Sequence, residues 1–544
     1  MERKECHTDD RPSPQGLFAG EELSHDKSRK SLSFRLSVFG LALVALISAW
    51  DATSLAIALP VITSQLRGTT LESFWTNISF TLGVVITQPV YVSLSDILGR
   101  KPPLYASIVL FSVGAVVFAT AHDMTTLIAG RLIQGLGGGG LYVLQDMILT
   151  DMTNLKERPL YIGFLAIAVA IGTILGPILG ALFTDFASWR WIGWINLPIL
   201  GVGCLIFVFF LHLNAIPIGF ASRLSRVDGV GILLFAVGAT AIALPLSWSG
   251  SLYPWSSWRT ILPFVIGLVV LVIFVLFEKK VPVEPMLPFR ILSNITAIAS
   301  LVTGFFHGAI MYTLLLYLPL FFQAVFLQPP LQAAISTLPL CCVTVAFSFI
   351  APVVVEITRR YRCLIWFGWV CITLFLGLWY RVNRSTPLAE AYTFQCLLGM
   401  GVGTVFTGTQ VPVQASVTHV DDTGLAIGTL IVIRLFGALV SLSISSTVFS
   451  SIFQHSITAI GDLPESVKIL KDPNQGIDFI SALITWQLPD ELLNRIVGAY
   501  TQAFQAIWVV MICFSGIGFL ISLLIKDLTL EKEDIGRQGL EATS

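Results

Sequence analysis

Fourteen long apolar runs set the strongest limit on how this chain can fold. Each run holds about 20 mostly uncharged residues, the length that an α-helix needs to cross a hydrocarbon core of ~30 Å. Only 12% of the 544 residues are charged, which is about half the share in a soluble domain. A membrane β-barrel would instead show ~10-residue segments of alternating polarity. We therefore expect an all-α membrane protein with about fourteen transmembrane helices. The runs lie at about 37–60, 74–93, 103–121, 125–147, 160–184, 190–212, 227–247, 260–277, 295–318, 331–355, 363–380, 391–414, 424–449 and 501–525.

The basic residues predict which ends of the runs face the cytosol, because Lys and Arg resist translocation and stay in short cytoplasmic loops. An even number of spans places both tails on one side. With cytosolic tails, the short inner loops hold twelve Lys and Arg residues and the short outer loops hold five. Residues 1–33 mix charges with Pro, Ser and Gly and contain no apolar signal segment, so we expect a disordered cytoplasmic tail there. Residues 526–544 are expected to form the second cytoplasmic tail.

Several classes of function find no support in the sequence. The net charge of −1 gives no reason to expect a nucleic-acid partner, and the seven histidines are scattered without metal-ligand spacing. Seven of the eight cysteines lie in or beside apolar runs, so a disulfide framework is not expected. The pair Cys341–Cys342 is interpreted as buried small hydrophobic residues, with a redox role as the alternative. Without a nucleophile cluster, a metal cluster or a GxxxxGK[ST] loop, we expect neither an enzyme nor an ATP-driven pump, and no cofactor.

A charged turn between the second and third runs carries the most specific motif. It extends from Leu94 to Pro102 and contains Asp96, Gly99, Arg100 and Lys101. One interpretation is an ordinary basic loop. The other is a cytoplasmic latch, in which the acid caps a helix N-terminus and the bases bind carboxylates opposite until the helices rock. This segment resembles the corresponding loop signature of the major facilitator superfamily.

Further stretches between residues 50 and 200 resemble the fourteen-span drug:proton antiporters of that superfamily. The resemblance rests on Trp50 to Pro60, Gly130 to Gly135, Gly172 to Gly180 and, for fungal members especially, Trp189 to Pro198. The chain departs from the family pattern at Val92, Ala56 and Ala181. The resemblance implies the major facilitator fold and a proton-coupled exporter of small hydrophobic compounds such as drugs, toxins or secondary metabolites. Its partners would be the cargo, protons and the lipid bilayer. We expect a monomer in the plasma membrane, with a vacuolar or vesicle membrane as the alternative.

A weak internal repeat predicts two six-helix halves. The glycines of Gly135–Gly139 align with those of Gly399–Gly403, and the turn at Asp96–Arg100 then aligns with Glu356–Arg360. If runs seven and eight are an insertion, the remaining helices form the parallel repeats found in this superfamily. The predicted units are an N-terminal bundle at 34–212, two additional helices at 227–277, and a C-terminal bundle at 294–525 with an outer loop at 450–500. Glu356, Arg359 and Arg360 would form a second cytoplasmic gate.

Ionisable residues deep within the runs are the candidates for the transport site, because a charge in hydrocarbon is energetically expensive. Asp51 and Arg131 lie at depths that differ by about one helical turn, ~5 Å, so they are expected to meet. Our hypothesis is that proton binding at Asp51 releases Arg131 and couples inward proton flow to outward cargo movement. A purely structural ion pair is the alternative. Gln134 is added to this group, and His307 and Arg434 would line the cavity from the C-terminal half. A buried, hydrogen-bonded histidine is the alternative for His307.

The remaining features concern helix shape and surface. Gly172, Gly176, Pro177 and Gly180 are expected to bend or loosen the fifth helix, since proline removes a backbone hydrogen bond. The run Gly135 to Gly140 matches GxGxxG but lies inside an apolar helix, which favours close helix packing over dinucleotide binding. The aromatic-rich stretch 305–323 could stack on cargo or face lipid. Asn383 begins a sequon in a predicted outer loop and is a glycosylation candidate. An uptake carrier of the same superfamily, for sugars or iron chelates, is the alternative function.

Overall fold

The computed structural model of the chain describes residues 31–153, 158–213, 228–249, 253–281, 292, 294–417, 423–460, 464, 467, 470, 475–485 and 488–528. Fourteen of the described helices are long and apolar enough to cross a membrane, which confirms the predicted number of spans. The predicted tails lie almost entirely outside the described residues. The side on which the first span begins and the last span ends is called the tail side, and the opposite side is called the far side. The spans are α1 Leu32–Gln65, α2 Thr70–Leu98, α3 Lys101–Ala119, α4 Met124–Met152, α5 Arg158–Phe186, α6 Trp191–Phe210, α7 Gly229–Trp248, α8 Trp258–Lys280, α9 Ile295–Ala324, α10 Pro330–Thr358, α11 Arg362–Trp379, α12 Leu388–Ala415, α13 Thr423–Ala459 and α14 Asp490–Ser522.

Several helices extend past the apolar runs. Polar caps begin two of them before the apolar residues: the Ser31 hydroxyl accepts a hydrogen bond from the Phe34 amide at the start of α1, and Thr69 and Glu72 form a capping box at the start of α2. The same effect corrects the predicted outer loop at 450–500. Both α13 and α14 continue into that range as helices, because polar residues can prolong a helix where hydropathy no longer marks its boundary. A short helix, Asp478–Thr485, lies in the remaining connection and is called the far-side helix.

Helices α1 to α6 form one bundle and α9 to α14 form the other. In the N-terminal bundle α4 packs against α2 and α3, while α5 packs against α1. In the C-terminal bundle α12 packs against α10 and α11, while α13 packs against α9 and α14. The bundles meet along two lateral seams, one between α2 and α13 and one between α5 and α10.

Alternating glycines make the two bundles pack alike. Gly135 and Gly139 of α4 lie against the backbone of α2, whereas Gly137 lies against the backbone of α3. In α12 the same alternation recurs, with Gly399 and Gly403 against α10 and Gly401 against α11. A β-carbon at Gly401 would stand 2.7 Å from the carbonyl oxygen of Gly368. The glycine run therefore serves close helix packing in both bundles.

The two additional helices lie over one seam. Helix α7 packs against α2 of one bundle and α13 of the other, and α8 packs against α7. The Thr447 hydroxyl of α13 donates a hydrogen bond of 2.5 Å to the Leu246 carbonyl of α7. The rings of Phe235 and Phe436 lie 6.4 Å apart and connect the same two helices. The apolar side chains of α8 are largely exposed, as expected for a helix that faces lipid.

Candidate transport site

A buried ionic network joins α1 and α4 inside the N-terminal bundle. Arg131 Nη1 lies 2.7 Å from Asp51 Oδ2, and both side chains are at most 2% exposed. Gln134, one turn along α4, donates from Nε2 to Asp51 Oδ1 at 2.9 Å, and its Oε1 accepts from Arg131 Nη1 at 2.9 Å. The structure thus brings together the three N-terminal candidates, and both carboxylate oxygens of Asp51 have partners.

The rest of the Arg131 guanidinium contacts α2. Its Nε donates to the Thr76 carbonyl at 3.3 Å, and the group stacks over the Phe80 ring with 4.2 Å to the centroid. A cavity of about 20 Å³ beside Arg131 extends between the bundles and is also lined by Tyr312 of α9. This volume accommodates a water molecule and no larger compound. In this conformation, cargo therefore has no space beside the ion pair.

The two C-terminal candidates lie in a separate cluster within their own bundle. His307 Nε2 lies 2.9 Å from the Val402 carbonyl, and Arg434 Nη2 donates to the Phe406 carbonyl at 2.8 Å and to the Thr409 hydroxyl at 3.1 Å. Helix α12 is interrupted at Thr409. Arg434 therefore caps carbonyl and hydroxyl groups at this break. Neither residue contacts the Asp51 network.

Sequence reasoning missed two tyrosines that meet between the bundles. Tyr142 of α4 donates to the Ser48 carbonyl of α1 at 2.8 Å and interacts through its side chain with Tyr312 of α9. Asp146 lies one turn further along α4 and is partly exposed. It is the second-last residue of the predicted run 125–147, so the rule for charges deep within the runs did not select it.

The bundles are closed against each other on the far side. The Phe74 ring of α2 lies 5.2 Å from Tyr317 of α9 and 5.5 Å from Phe449 of α13. Gln323 Nε2 of α9 donates to the Ile57 carbonyl of α1 at 3.2 Å. Much of the aromatic-rich stretch 305–323 is buried here: Tyr317, Phe321 and Phe322 are almost inaccessible. These three rings pack in the protein and do not face lipid.

The far-side helix adds a bridge over this closure. The Ile477 amide donates to the Thr70 hydroxyl of α2 at 3.3 Å, and the Tyr500 hydroxyl of α14 donates to the Gly476 carbonyl. Asp478, the first residue of the far-side helix, forms a side-chain hydrogen bond with Ser64 of α1. The segment therefore connects both bundles at the far side.

The docking of this segment should depend on pH. Burial raises the pKa of the Asp478 carboxyl, and the hydrogen bond with Ser64 partly opposes the shift. A carboxyl with a raised pKa in the folded state stabilises that state at low pH, and this contribution is lost as the pH rises through the raised value. Hydrogen exchange at 475–485, corrected for intrinsic rates, should be slower at about pH 5 than at about pH 7.5. Asp478→Asn should remove the difference, and an unchanged pH dependence in that variant would assign the effect to another group.

The tail side carries an ion pair of the kind that the loop motif predicted. Arg100 Nε lies 2.7 Å from Asp151 Oδ2 at the end of α4, and its Nη1 donates to the Ser95 hydroxyl at 2.7 Å. Gly99 has φ 89° and ψ 164°, a conformation that residues with a β-carbon rarely adopt. Lys101 begins α3. The side chain of Asp96 lies outside the described part, so its predicted capping role stays a prediction.

The corresponding turn in the C-terminal bundle is different. Glu356, Arg359 and Arg360 are all exposed, and none of them forms an ion pair with another described residue. Arg359 takes the left-handed conformation at φ 55° where the first turn has Gly99. Among the described residues, an ion pair is therefore present at the predicted gate of the N-terminal bundle and absent at that of the C-terminal bundle.

The glycines of α5 form the contact with α1. Gly172, Gly176 and Gly180 lie one turn apart, and β-carbons there would collide with the Leu46 carbonyl, the Thr53 hydroxyl and the Ser54 carbonyl. Helix α5 is continuous through Pro177. The spacing thus serves close packing, while the predicted bending role stays a prediction.

Asn383 is exposed between α11 and α12, and its glycosylation also stays a prediction.

Comparison with known proteins gives consistent matches along most of the chain. A family model described as Major Facilitator Superfamily matches residues 41–442. The MFS-type transporter sphD of Aspergillus fumigatus is 43% identical over 525 residues, which cover 96% of this chain and 90% of the relative. The efflux pump FUS6 of Gibberella fujikuroi is 32% identical over 530 residues, which cover 96% of this chain and 94% of the pump. An MFS-type transporter of the acurin A biosynthesis cluster of Aspergillus aculeatus is 32% identical over 516 residues, which cover 94% and 93%.

Solved structures agree with the fold. A bacterial homologue of the human lysosomal transporter Spinster, in an inward-facing and unoccupied conformation, aligns with a TM-score of 0.60 over 92% of this chain and 99% of its own. The sequence identity in that alignment is 16%, so the likeness concerns the fold alone.

Proposed function

The chain belongs to the major facilitator superfamily, and from this premise we propose that it exports small hydrophobic compounds in exchange for protons. Relatives that are named efflux pumps or transporters of biosynthetic clusters cover nearly the whole chain, which favours export over the alternative of sugar or iron-chelate uptake. The cargo class is then drugs, toxins or secondary metabolites.

The observation that carries proton coupling is the ionic network of Asp51, Arg131 and Gln134. A carboxylate and a guanidinium in contact at 2.7 Å, almost inaccessible to solvent, are stable together, whereas removal of either charge leaves the other uncompensated. A proton on Asp51 removes one of these charges without removing an atom. The guanidinium of Arg131 then lacks a charged partner. Its movement toward a new partner would begin a rearrangement between α1 and α4.

Displacement of Arg131 would affect the interface between the two bundles. Arg131 borders the small cavity between the bundles, and Tyr312 of the C-terminal bundle lines the same cavity. A displaced guanidinium would therefore enter space shared by both bundles. Coupling requires that the contacts of Arg131 differ between two conformations of the transporter. A proton shifts the equilibrium between these conformations only if it binds one of them more tightly than the other.

For orientation, we place the tail side in the cytosol and the protein in the plasma membrane. The excess of Lys and Arg in the short loops of the tail side supports this assignment. The Asp51 network then lies toward the outer half, where protons arrive in an exchange for outgoing cargo. The Arg100–Asp151 pair lies at the cytosolic surface, where it would close the N-terminal bundle during part of the cycle.

Proteoliposomes test the proposal directly. Metabolites retained by a deletion strain would first identify a cargo, and the purified protein would then be reconstituted with a pH-sensitive dye trapped inside. Addition of a cargo gradient without an imposed pH gradient should move protons in the direction opposite to the cargo. Protons that move in the same direction as the cargo would support the uptake alternative, and cargo movement without proton movement would refute the coupling.

A further inference from the structure

One stripe of α4 opens into the space between the bundles. Among residues 141–150, only Tyr142, Asp146 and Thr150 are partly exposed, and the other seven are buried. A spacing of four residues places side chains on one face of a helix. Tyr142 contacts Ser48 of α1 and Tyr312 of α9, so this face points to the place where the two bundles meet.

Asp146 is the charged residue of this stripe, and it has no ionic or hydrogen-bonding partner in the part of the chain that the structure describes. The other two carboxylates in this region are compensated, Asp51 by Arg131 and Asp151 by Arg100. An uncompensated carboxylate facing hydrocarbon would be unfavourable by several kcal/mol. Asp146 is instead partly exposed on the face of α4 that points to the place where the bundles meet, and its empty acceptor oxygens indicate a ligand with hydrogen-bond donors.

The depth of Asp146 fits the loading of cargo. It lies ~9 Å from the tail-side end of α4 at Met152, on the cytosolic half in the proposed orientation. The Asp51 network lies toward the far side, and the cavity beside it has room for a water molecule only. A compound that enters from the cytosol reaches Asp146 before it reaches the closed far side.

We propose that Asp146 binds the ammonium group of amine-bearing cargo, with Tyr142 and Tyr312 packed against the apolar part. This inference rests on the proposed export function and names the chemical class of its cargo. A carboxylate gives the ammonium group a charged partner. The Tyr142 ring one turn along α4, with Tyr312 of α9 in contact with it, supplies apolar surface and cation–π attraction.

Three probes that differ in one group test this assignment. They are a dodecyl chain labelled with a nitrobenzoxadiazole fluorophore at one end and carrying an amine, an alcohol or a carboxylic acid at the other. The full-length protein in lipid nanodiscs should bind the amine at least about tenfold more tightly than the alcohol near pH 7, because hydrogen bonds to charged groups are the stronger ones. The carboxylic acid should bind more weakly than the alcohol.

Variants identify the residue responsible. Asp146→Asn should remove the preference for the amine and leave the affinity for the alcohol within about twofold, while Asp146→Glu should keep the preference. Asp123→Asn is the matched control, since it removes an exposed carboxylate at the far-side start of α4 and asparagine is an equally good N-cap. Equal weakening of all three probes by Asp146→Asn, or an unchanged preference, would overturn the assignment.

The binding measurement is independent of proton coupling. A protein that prefers the amine through Asp146 but moves no protons against cargo would refute the proposed function and keep the site. A protein that couples cargo to protons but shows no amine preference would keep the function and refute the site.

Discussion

Replacement of Asp51 by asparagine is expected to reduce proton-driven accumulation of cargo at least about tenfold, the size of a typical coupling between two binding sites. Asparagine has nearly the same shape and keeps an oxygen for Gln134 or Arg131, but it takes up no proton at neutral pH. Exchange of labelled for unlabelled cargo in the absence of a pH gradient should persist, because it requires the rocking of the bundles without net proton movement. The two assays on the same proteoliposomes separate loss of coupling from loss of transport.

A double variant separates the proton from the ion pair. Asp51→Asn leaves the buried Arg131 uncompensated, which should destabilise the fold by about 3–5 kcal/mol. Asp51→Asn with Arg131→Gln removes both charges and should recover most of the melting temperature. If gradient-driven accumulation stays absent in the double variant, the titratable group is required. If it returns, the ion pair was structural, and undiminished accumulation by a well-expressed Asp51→Asn protein would likewise eliminate Asp51 as the coupling site.

A single methyl group at Gly137 should disrupt the N-terminal bundle. A β-carbon there would collide with the Phe111 amide nitrogen and lie 2.6 Å from the Ser107 carbonyl oxygen, so the contact is with the backbone of α3 and no side chain can turn away. Overpacking of this kind destabilises a protein by about 1–3 kcal/mol, and more where a backbone must shift. The melting temperature of Gly137→Ala in detergent should fall, with a smaller fraction of monodisperse protein.

The repeat supplies a second test of the same prediction. Gly401→Ala should have a comparable effect, because its β-carbon meets the backbone of α11 as that of residue 137 meets α3. Gly201→Ala in α6 is the control, since no atom lies within 4 Å of a β-carbon at that position. It should be neutral or slightly stabilising, because alanine favours the helix. Equal effects at 137 and 201 would show that helix propensity, and not the packing of α4, determines the outcome.

The number of spans and the depth of buried charges could be predicted from the sequence, because hydropathy and the rise of a helix fix position along the membrane normal. The meeting of Asp51 and Arg131 is of this kind. Hydropathy and helix rise do not determine the rotation of each helix about its own axis, and this rotation decides which side chains meet. The partner of Arg100 was therefore not identified as Asp151, and His307 and Arg434 were assigned to the shared cavity although their described hydrogen bonds stay within the C-terminal bundle.

Other differences have local causes. The ends of α13 and α14 were misplaced because their outer turns are polar, and hydropathy measures the hydrocarbon rather than the helix. Asp146 was not selected from the sequence, because it lies at the end of its apolar run and the rule concerned charges deep within the runs. Its orientation toward the bundle interface did require the structure, since Tyr142 establishes which face of α4 is open.

The position of α7 and α8 makes the transporter laterally asymmetric. They shield the α2–α13 seam from lipid, while in the described structure α5 and α10 meet along the other seam with apolar side chains such as Ile171 and Ile350 exposed nearby. A hydrophobic compound that first dissolves in the bilayer therefore meets a shielded flank on one side and an unshielded flank on the other. Lateral entry of such a compound would be confined to the α5–α10 flank, and a membrane-dissolved pool of cargo would be sampled from one direction only.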